Sequence, residues 1–321
     1  MARVDAISVI MPLYNAMPYA RAAVESILSQ TFDRLELVIV NDGSTDGSAD
    51  YLSTLTDPRV RVLHQRNQGD AAASNAALRA ARYAWAARMD ADDVALPQRL
   101  EKEAAFIERN ADYGFVGCGW GFIGPDGRRL RAVQVPKLSA PPRFQPMTDP
   151  MIAHPGMLYS RQTVLGIAGY RNDYTGDLDL ALRLDEAGCR LGFVPEVLVL
   201  VRVLPGGVSS RNYIRQRVAA RYAKTCSAAR REGRPEPDWE SFEGDNWPRG
   251  WRRVSAEGAR QFRLAGAAWA AGRYPQAAAR LLLSFAMRPR YAAVKLHRYF
   301  SPARGPEPDD SPLPGPGDAL D

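Results

Sequence analysis

The chain has 321 residues, 46% of them hydrophobic, so it can form one large domain with its own core and a smaller additional part. Its three cysteines, Cys118, Cys189 and Cys226, are widely spaced and odd in number, which argues against a disulfide framework or a zinc site and predicts buried free thiols. No apolar stretch reaches the roughly 18 residues of a membrane span, and the N-terminus lacks the layout of a signal peptide. We therefore expect a cytoplasmic protein, soluble or peripheral.

Charge is distributed unevenly along the chain. Residues 1–210 carry 22 Lys and Arg against 24 Asp and Glu, residues 211–300 carry 19 against 7, and residues 301–321 carry 1 against 5. The last segment is too rich in Pro, Gly and acid to fold, so we expect a disordered tail. Residues 211–300, with a net charge of +12, are predicted to form a basic helical appendage.

Strands and helices are predicted to alternate through the first part of the chain. The strands are predicted at 7–14, 35–42 and 60–65, and the helices at 19–30, 45–55 and 69–81. The first strand, ISVIMPLY, is continuously apolar, which is typical of an interior parallel strand covered on both faces. This alternation predicts an α/β fold, with a doubly wound open sheet flanked by helices. Ligands of such sheets bind beyond the carboxyl ends of the strands, so the polar residues there should gather along one edge.

The segment ARMDADDV, residues 87–94, places three carboxylates within four positions before a predicted helix with Pro97 in its first turn. On an extended chain Asp90 and Asp92 would lie on the same side, about 7 Å apart, and could both face one divalent cation. Like charges this close are costly unless a cation offsets them. The simpler alternative is a carboxylate that caps the helix, and we assign Asp93 to that role.

Four motifs occur in order along the chain: ISVIMPLYN, VIVNDGSTDGS, RNQGDAAASNAAL and RMDADD. At these separations the set resembles family 2 of the inverting glycosyltransferases, which share the fold called GT-A. Two later segments, IAHPGMLYSRQTVLGIAGY and TGDLDLALRLDEAG, resemble that family's acceptor-side segments. The resemblance implies a GT-A-type, mostly parallel sheet in a domain at 1–210, with a nucleotide-sugar half at 1–115 and an acceptor half at 116–210.

The resemblance also implies which residues bind the nucleotide and the donor sugar. These are Pro12, Tyr14, Asn15, Asp42, Asn67, Gly69, Asn75, Asp90 and Arg202. Asp42 would hydrogen-bond the base, usually uracil; the structural alternative is a turn in which Asp42 bonds its own backbone. Ser74 stands where relatives often have Arg, so a donor contact from that position is open.

For the metal, the resemblance assigns Asp92 to a Mn²⁺ or Mg²⁺ ion that bridges the two donor phosphates, with Asp90 near the ribose or the ion. Such an ion compensates the charge of the departing diphosphate. Many relatives have a His at the position of Leu204 that can approach the metal, and leucine cannot ligate.

Inverting transfer needs one base that takes the proton of the acceptor hydroxyl. Asp177 aligns with the family's base, although Gly176 replaces the Glu that precedes it in relatives; a simple helix cap is the alternative for Asp177. Asp179 should point away from Asp177 and support structure. His154 in AHPG is expected to be a hydrogen-bonded structural residue, with a contact to the acceptor or to a phosphate as the alternative.

Beyond this domain, helices are predicted at 212–232, 255–271, 275–287 and 290–300. The proline-rich stretch 140–151 is predicted to be an extended loop, either a lid over the acceptor cleft or a plain linker. The basic excess with interleaved aromatic residues suits an anionic membrane surface that carries a lipid-linked acceptor; a solvated basic face is the alternative. No nucleic-acid-binding motif accompanies the charge.

The sequence thus predicts a metal-dependent inverting glycosyltransferase that moves a sugar from a nucleotide-sugar donor, UDP-linked by the family pattern, to a glycan or lipid-linked glycan. The alternative, suggested by Gly176 and Leu204, is a non-catalytic sugar-nucleotide-binding partner of a polysaccharide assembly complex. A nucleotidyltransferase would need a Gly-rich loop with Lys or Arg after the first strand, and PLYNAMPYAR contains no glycine.

Overall fold

The computed structural model describes residues 3–135, 137–149, 152–171, 175–204, 207 and 212–300. The strands β1 to β9 are Ile7–Leu13, Leu35–Asp42, Val60–Gln65, Trp85–Arg88, Val94–Ala95, Tyr113–Ile123, Arg129–Gln134, Met157–Ser160 and Arg190–Arg202. The helices α1 to α11 are Ala20–Leu28, Ser48–Ser53, Asp70–Ala80, Arg99–Arg109, Arg161–Gly166, Gly176–Glu186, Tyr213–Arg231, Trp239–Asn246, Gly250–Ala270, Tyr274–Met287 and Pro289–Phe300. The predicted disordered tail lies outside the described residues.

The described residues belong to two compact units. Unit 1 falls within residues 1–120, 134–201 and 219–239, and unit 2 takes up the intervening ranges, 121–133 and 202–218, together with the chain from residue 240 onward. The predicted helical appendage therefore contributes to both units, and its limits at 211–300 stay a prediction.

The strands of the described chain form one nine-stranded sheet in the order β3-β2-β1-β4-β8-β6-β9-β5, with β7 paired to β6. Neighbours are parallel from β3 to β4, whereas β8 is antiparallel to both β4 and β6. The prediction of a GT-A-type α/β fold is confirmed: helices flank the sheet, and further helices follow it. The parallel part contains the strands next to most of the predicted nucleotide-binding residues, whereas Arg202 is the last residue of β9.

Apolar side chains cover both faces of β1, and all seven of its residues are buried. Val9 and Met11 belong to a core cluster with Ile27 of α1, while Ile10 belongs to another cluster with Leu78 of α3. The two helices therefore cover opposite faces of the sheet. This explains why the first strand reads as a continuous apolar run rather than an alternating one.

Several local predictions were wrong. Helix α4 begins at Arg99 with Gln98 as its N-cap residue, so Asp93 is not the cap and Pro97 precedes the helix. Asp93 is instead buried just before β5. Helix α2 is shorter than predicted, and α8 was not predicted at all.

All three cysteines are free thiols, as predicted; Cys118 and Cys226 are buried, whereas Cys189 is only partly so. Within the described residues, no helix combines the length and the apolar character that crossing a bilayer requires.

Candidate functional site

The loops that follow β1 and β2 are joined by hydrogen bonds in unit 1. The Asn15 N–H donates to Ser44 Oγ at 3.0 Å, and the Thr45 N–H donates to Asn15 Oδ1 at 2.7 Å. Asn15 adopts a positive φ of 49°. Next to it, the Tyr14 side chain is exposed, whereas Pro12 is buried in β1. The two loops thus form one rim at the carboxyl ends of the parallel strands, with an aromatic ring available to a ligand.

Asp42, the last residue of β2, is almost completely buried and fixes the loop after β3. Its Oδ1 accepts from Gln65 Nε2 at 2.6 Å and from the Gln68 N–H at 2.9 Å, and its Oδ2 accepts from the Gly69 N–H at 2.9 Å. A carboxylate offers about four acceptor positions, so one remains for a ligand donor. Asp42 therefore already organises the predicted donor loop.

The turn after β2 is closed by Asn41, whose Oδ1 accepts from the Ser44 N–H at 3.0 Å. Gly43 in this turn has φ 73°, and a Cβ on it would lie 2.8 Å from the Asn67 backbone nitrogen. The predicted donor residues Asp42 and Asn67 are thus brought together by a close approach of two loops.

Asn75 on α3 binds the backbone of Tyr170 through both ends of its side-chain amide. Its Nδ2 donates to the Tyr170 carbonyl at 2.8 Å, and its Oδ1 accepts from the Tyr170 N–H at 2.9 Å. Its role in donor binding stays a prediction, because both ends of its amide hold the segment before α6. Neighbouring Ser74 is buried, and its Oγ has no hydrogen-bond partner among the described residues.

The acidic segment is a turn, not the extended chain we expected, because the Asp93 N–H donates to the Asp90 carbonyl at 3.3 Å. Asp90 and Asp92 are both partly exposed. Asp90 Oδ1 lies 2.8 Å from Nη2 of Arg88, and the same nitrogen lies 2.7 Å from Asp70 Oδ1. One guanidinium therefore serves the first acid of the motif and an acid at the start of α3.

Arg88 is a residue of this site that the sequence analysis missed. It is 1% exposed at the end of β4. Burial alone would lower its pKa, but Asp70 and Asp90 raise the pKa above the ordinary arginine value. The available signal was a charged residue in a strand of otherwise apolar residues, WAAR, since a buried charge requires partners.

A second buried arginine, Arg99, holds the end of β4 through hydrogen bonds to backbone carbonyls. Arg99 Nη2 donates to the Arg88 carbonyl at 2.9 Å and to the Met157 carbonyl at 3.3 Å, so it joins the end of β4 to the start of β8. Its Nε donates to Glu103 Oε1 at 3.2 Å. Burial raises the pKa of Glu103 to about 7, although Arg99 opposes the shift.

On the acceptor side, His154 and Asp177 lie within electrostatic range of Asp90. Burial raises the pKa of Asp177; His154 and a hydrogen bond from the Leu178 N–H, at 2.8 Å, lower it, and Asp90 raises it. Burial, and then Arg88, lower the pKa of His154, so its imidazole is neutral at neutral pH. Its Nε2 is buried without a partner among the described residues. The predicted base, the acceptor-side histidine and the acidic motif thus meet in one site.

Thr175 is the N-cap residue of α6, and Asp177 lies in the first turn, where it accepts from the Leu178 N–H; the capping alternative for Asp177 therefore stays open. Asp179 has the structural role expected of it: it is buried, and its Oδ2 accepts from Arg183 Nε at 2.8 Å. Arg183 also donates to the Ile167 and Gly169 carbonyls, each at 2.6 Å, which anchors the helix that carries Asp177.

Arg202 and Leu204 belong to unit 2. Arg202 is buried, and its Nη1 donates to the Gly124 carbonyl at 2.9 Å and to the Pro125 carbonyl at 3.5 Å. Its predicted contact with the donor diphosphate stays a prediction. Leu204 is partly exposed.

No group of three His, Cys, Asp or Glu residues in the described chain could hold a metal ion by itself. A Mg²⁺ or Mn²⁺ ion that is bound largely by substrate phosphates needs only one or two protein carboxylates. Asp92, and the side of Asp90 that does not face Arg88, fit such an ion. The residues therefore fit a site that the donor completes, rather than a cage made by the protein alone.

Comparison with known proteins shows the family of this chain. Residues 8–165 match the model of glycosyl transferase family 2. The chain is 33% identical over 184 residues to the O-antigen biosynthesis glycosyltransferase WbnJ of Escherichia coli. The aligned region covers 56% of this chain and 72% of that relative. The chain belongs to glycosyl transferase family 2.

This glycosyltransferase is also 32% identical over 204 residues to the putative glycosyltransferase EpsE of Bacillus subtilis, covering 61% of the chain and 72% of EpsE. Its fold is similar to that of the mannosyltransferase PcManGT of Pyrobaculum calidifontis, solved with GDP-Man and Mn²⁺, with a TM-score of 0.56 and 22% identity over 91% of this chain and 78% of the other. TarS of S. aureus, solved with UDP-GlcNAc, gives a TM-score of 0.55 and 16% identity over 88% and 92% of the two chains.

Proposed function

We propose that this family 2 glycosyltransferase is metal-dependent and inverting, and that it moves a sugar from a nucleotide-sugar donor to a glycan or lipid-linked glycan. The observation that carries the proposal is that Asp90 lies within electrostatic range of both His154 and Asp177, while Arg88 joins Asp90 to Asp70 at the start of α3. One site can then stabilise the negative charge of the donor diphosphate and accept the proton of the acceptor hydroxyl.

The donor side is supported by the loops around Asp42. This carboxylate holds the Gln68 and Gly69 amides and keeps an acceptor position for the N–H of a base such as uracil. Tyr14 offers an exposed ring at the same rim. UDP sugars are the first donors to test, because TarS was solved with UDP-GlcNAc, and GDP-Man is the second, because PcManGT was solved with it.

The metal site would use Asp92, with Asp90 held beside it by Arg88. A bound Mn²⁺ or Mg²⁺ would supply charge compensation to the leaving diphosphate. The chain's own contribution is to keep two carboxylates at the strand end despite their mutual repulsion. Arg88 does this for Asp90 by forming an ion pair in a nearly buried position.

Asp177 would act as the general base. Its carboxylate accepts the proton of the acceptor hydroxyl while that oxygen attacks the anomeric carbon and the nucleotide leaves from the opposite face. The raised pKa of Asp177, caused by burial, makes it a stronger base than an exposed aspartate. His154, neutral in this environment, is a candidate to hold an acceptor hydroxyl through Nε2.

We further propose that the acceptor is presented at the cytoplasmic face of an anionic membrane. The net charge of +12 over residues 211–300 supports this, because basic segments are attracted to anionic lipid surfaces.

The test is transfer and donor hydrolysis across a panel of nucleotide sugars with Mn²⁺, in the parent and in Asp177→Asn. The parent should turn over, and the variant should lose about a thousandfold or more in kcat while it still binds nucleotide. Asp50→Asn, an exposed aspartate on α2, is the matched control and should keep full activity. Binding of nucleotide without turnover, in the parent and with every acceptor, would instead favour the non-catalytic partner suggested by Gly176 and Leu204.

A further inference from the structure

The last two helices of unit 2, and the second half of the helix before them, lie in a stretch without a single acidic residue. From residue 258 to residue 300 the sequence contains eight Lys and Arg and no Asp or Glu. This stretch covers the second half of α9 and all of α10 and α11. Ordinary solvated helices mix both charge signs on their surfaces, so the uniform sign here indicates a partner that is negatively charged.

Helix α10 presents an apolar face to solvent. Its buried residues, Ala277 and Ser284, lie seven positions apart and mark the inner face. At about 100° per residue, the opposite side carries Pro275, Ala279, Leu282, Leu283 and Ala286. Leu282 is 70% exposed and Leu283 47%. An amphipathic helix normally turns its charged side outward; in this helix the outer side is the apolar one.

The only charged residue within α10, Arg280, does not shield this face. Its Nη1 donates to Gln261 Oε1 on α9 at 2.9 Å. The guanidinium is therefore held by α9, and Arg280 is only partly exposed, whereas both leucines are exposed.

Two aromatic residues stand at the turn that joins α9 to α10. Trp269 and Tyr274 are 55% and 57% exposed, and their rings pack edge to face with centroids 5.0 Å apart. Arg273 lies between them in sequence and is exposed, as is Lys295 on α11. Trp and Tyr favour the boundary between headgroups and acyl chains, because their rings are apolar with one polar atom.

We propose that the α10 face, defined as Leu282, Leu283, Trp269 and Tyr274, docks on an anionic lipid bilayer, with Arg273 and Lys295 meeting the headgroups. Charge complementarity selects this occupant: the stretch is wholly basic, and an interfacial helix needs an apolar side that enters the headgroup boundary and basic residues around it. Membrane docking does not itself depend on the proposed function. Its use, bringing the site to a lipid-linked acceptor, rests on that function.

The experiment is flotation of the full chain with phosphatidylglycerol-containing phosphatidylcholine vesicles and with pure phosphatidylcholine vesicles. The chain should bind the anionic vesicles, and binding should fall as salt rises. Leu282→Glu combined with Leu283→Glu should lower the partition coefficient by about a hundredfold. Leu282→Phe with Leu283→Phe should bind like the parent, since the phenyl rings keep the face apolar.

Two controls separate the face from general surface properties. Met147→Glu introduces a single glutamate at an exposed apolar residue of unit 1 and should leave binding within about twofold. Arg273→Glu with Lys295→Glu should weaken binding by about tenfold or more, whereas Arg109→Glu, at an exposed arginine of α4, should have a much smaller effect.

Equal binding to neutral and anionic vesicles, or unchanged binding of the double glutamate variant, would overturn the proposal. A dimeric parent that the double glutamate variant converts to a monomer would also overturn it, because the face would then be covered by a second copy. Donor hydrolysis in solution should be unchanged in the double glutamate variant. Loss of vesicle binding and failure of the glycosyltransferase proposal are therefore read from separate measurements.

Discussion

Arg88 and Asp90 form an ion pair of 2.8 Å in which the cation, not the acid, is the buried partner. Because Arg88 also holds Asp70, the carboxylate of Asp90 is oriented from the protein side and its charge is partly compensated before any ligand arrives. The acidic motif is therefore built on a fixed basic residue at the end of β4.

This relationship predicts that Arg88 is a positioning residue. Arg88→Met should lower kcat/KM by about tenfold to a hundredfold, because Asp90 loses its orienting partner. The cost in unfolding free energy should be only about 1–2 kcal/mol, since the acids left behind are partly exposed and can be hydrated. Kinetics and urea unfolding measure the two effects. Arg109→Met, on an exposed arginine, is the control, and equal activity of both variants would contradict the role.

Asp42 should be needed both to hold the donor loop in place and to bind the nucleotide base. Asp42→Asn replaces one carboxylate oxygen by an NH₂ group, which leaves one of the Gln68 and Gly69 amide donors without an acceptor. An unpaired buried donor costs about 1–3 kcal/mol, so the melting temperature should fall. Donor KM should rise by about tenfold, measured by initial rates at varied donor concentration. A variant that melts earlier with unchanged donor KM would restrict Asp42 to a structural role.

The close approach of Gly43 to Asn67 predicts a difference between two glycines in neighbouring turns. Gly43→Ala must accommodate a Cβ 2.8 Å from a backbone nitrogen at φ 73°, whereas Gly47→Ala has φ 86° and nothing within 4 Å. Both variants carry the strain of a left-handed alanine, about 1 kcal/mol. Only Gly43→Ala should also raise donor KM, because it pushes the Asn67 loop away. Equal donor KM values in the two variants would refute the crowding.

The buried Glu103 predicts a pH dependence of stability. Burial raises the pKa of Glu103 from an ordinary 4.5 to about 7 in the folded state. Between these two pH values the folded state keeps a proton on Glu103, whereas the unfolded state has lost it. Stability should therefore fall as pH rises from about 4.5 to about 7. Glu103→Gln should remove this fall, so that its stability relative to the parent improves by roughly 1–3 kcal/mol across that window.

Urea unfolding at several pH values in this range tests the prediction. Glu25→Gln, at an exposed glutamate of α1, should leave the slope in place. Retention of the full pH dependence in Glu103→Gln would assign it to other groups.

The acid limb of kcat/KM should report Asp177. A base must be ionised to accept a proton, so activity should rise with pH through the pKa of Asp177, which burial raises above 3.8. The profile should rise at a higher pH than an exposed aspartate would give and then level off. Glu103→Gln separates the titration of the buried glutamate from this limb. A limb at an ordinary aspartate pKa would contradict the raised pKa of Asp177.

The sequence alone determined the parallel part of the sheet and the chain order of the site. Strands covered on both faces are mostly apolar, so β1 and β2 could be located from the sequence. The bounds of β2 and β3 agree with the prediction to the residue. Polar residues after such strands share an edge, and for this reason Asp42 and Asn67 were expected near each other, while Gly69 was added by the family resemblance; the loops that carry them do meet.

Only the tertiary structure decided which of these side chains already have partners. Asn75 is engaged by Tyr170, 95 positions away, and Asp90 is held by Arg88. The local spacing predicted an extended acidic segment, but the bond from the Asp93 N–H to Asp90 makes it a turn. Periodicity reports which face of an element is buried, whereas the partner of a buried charge depends on residues that only packing brings within about 3 Å.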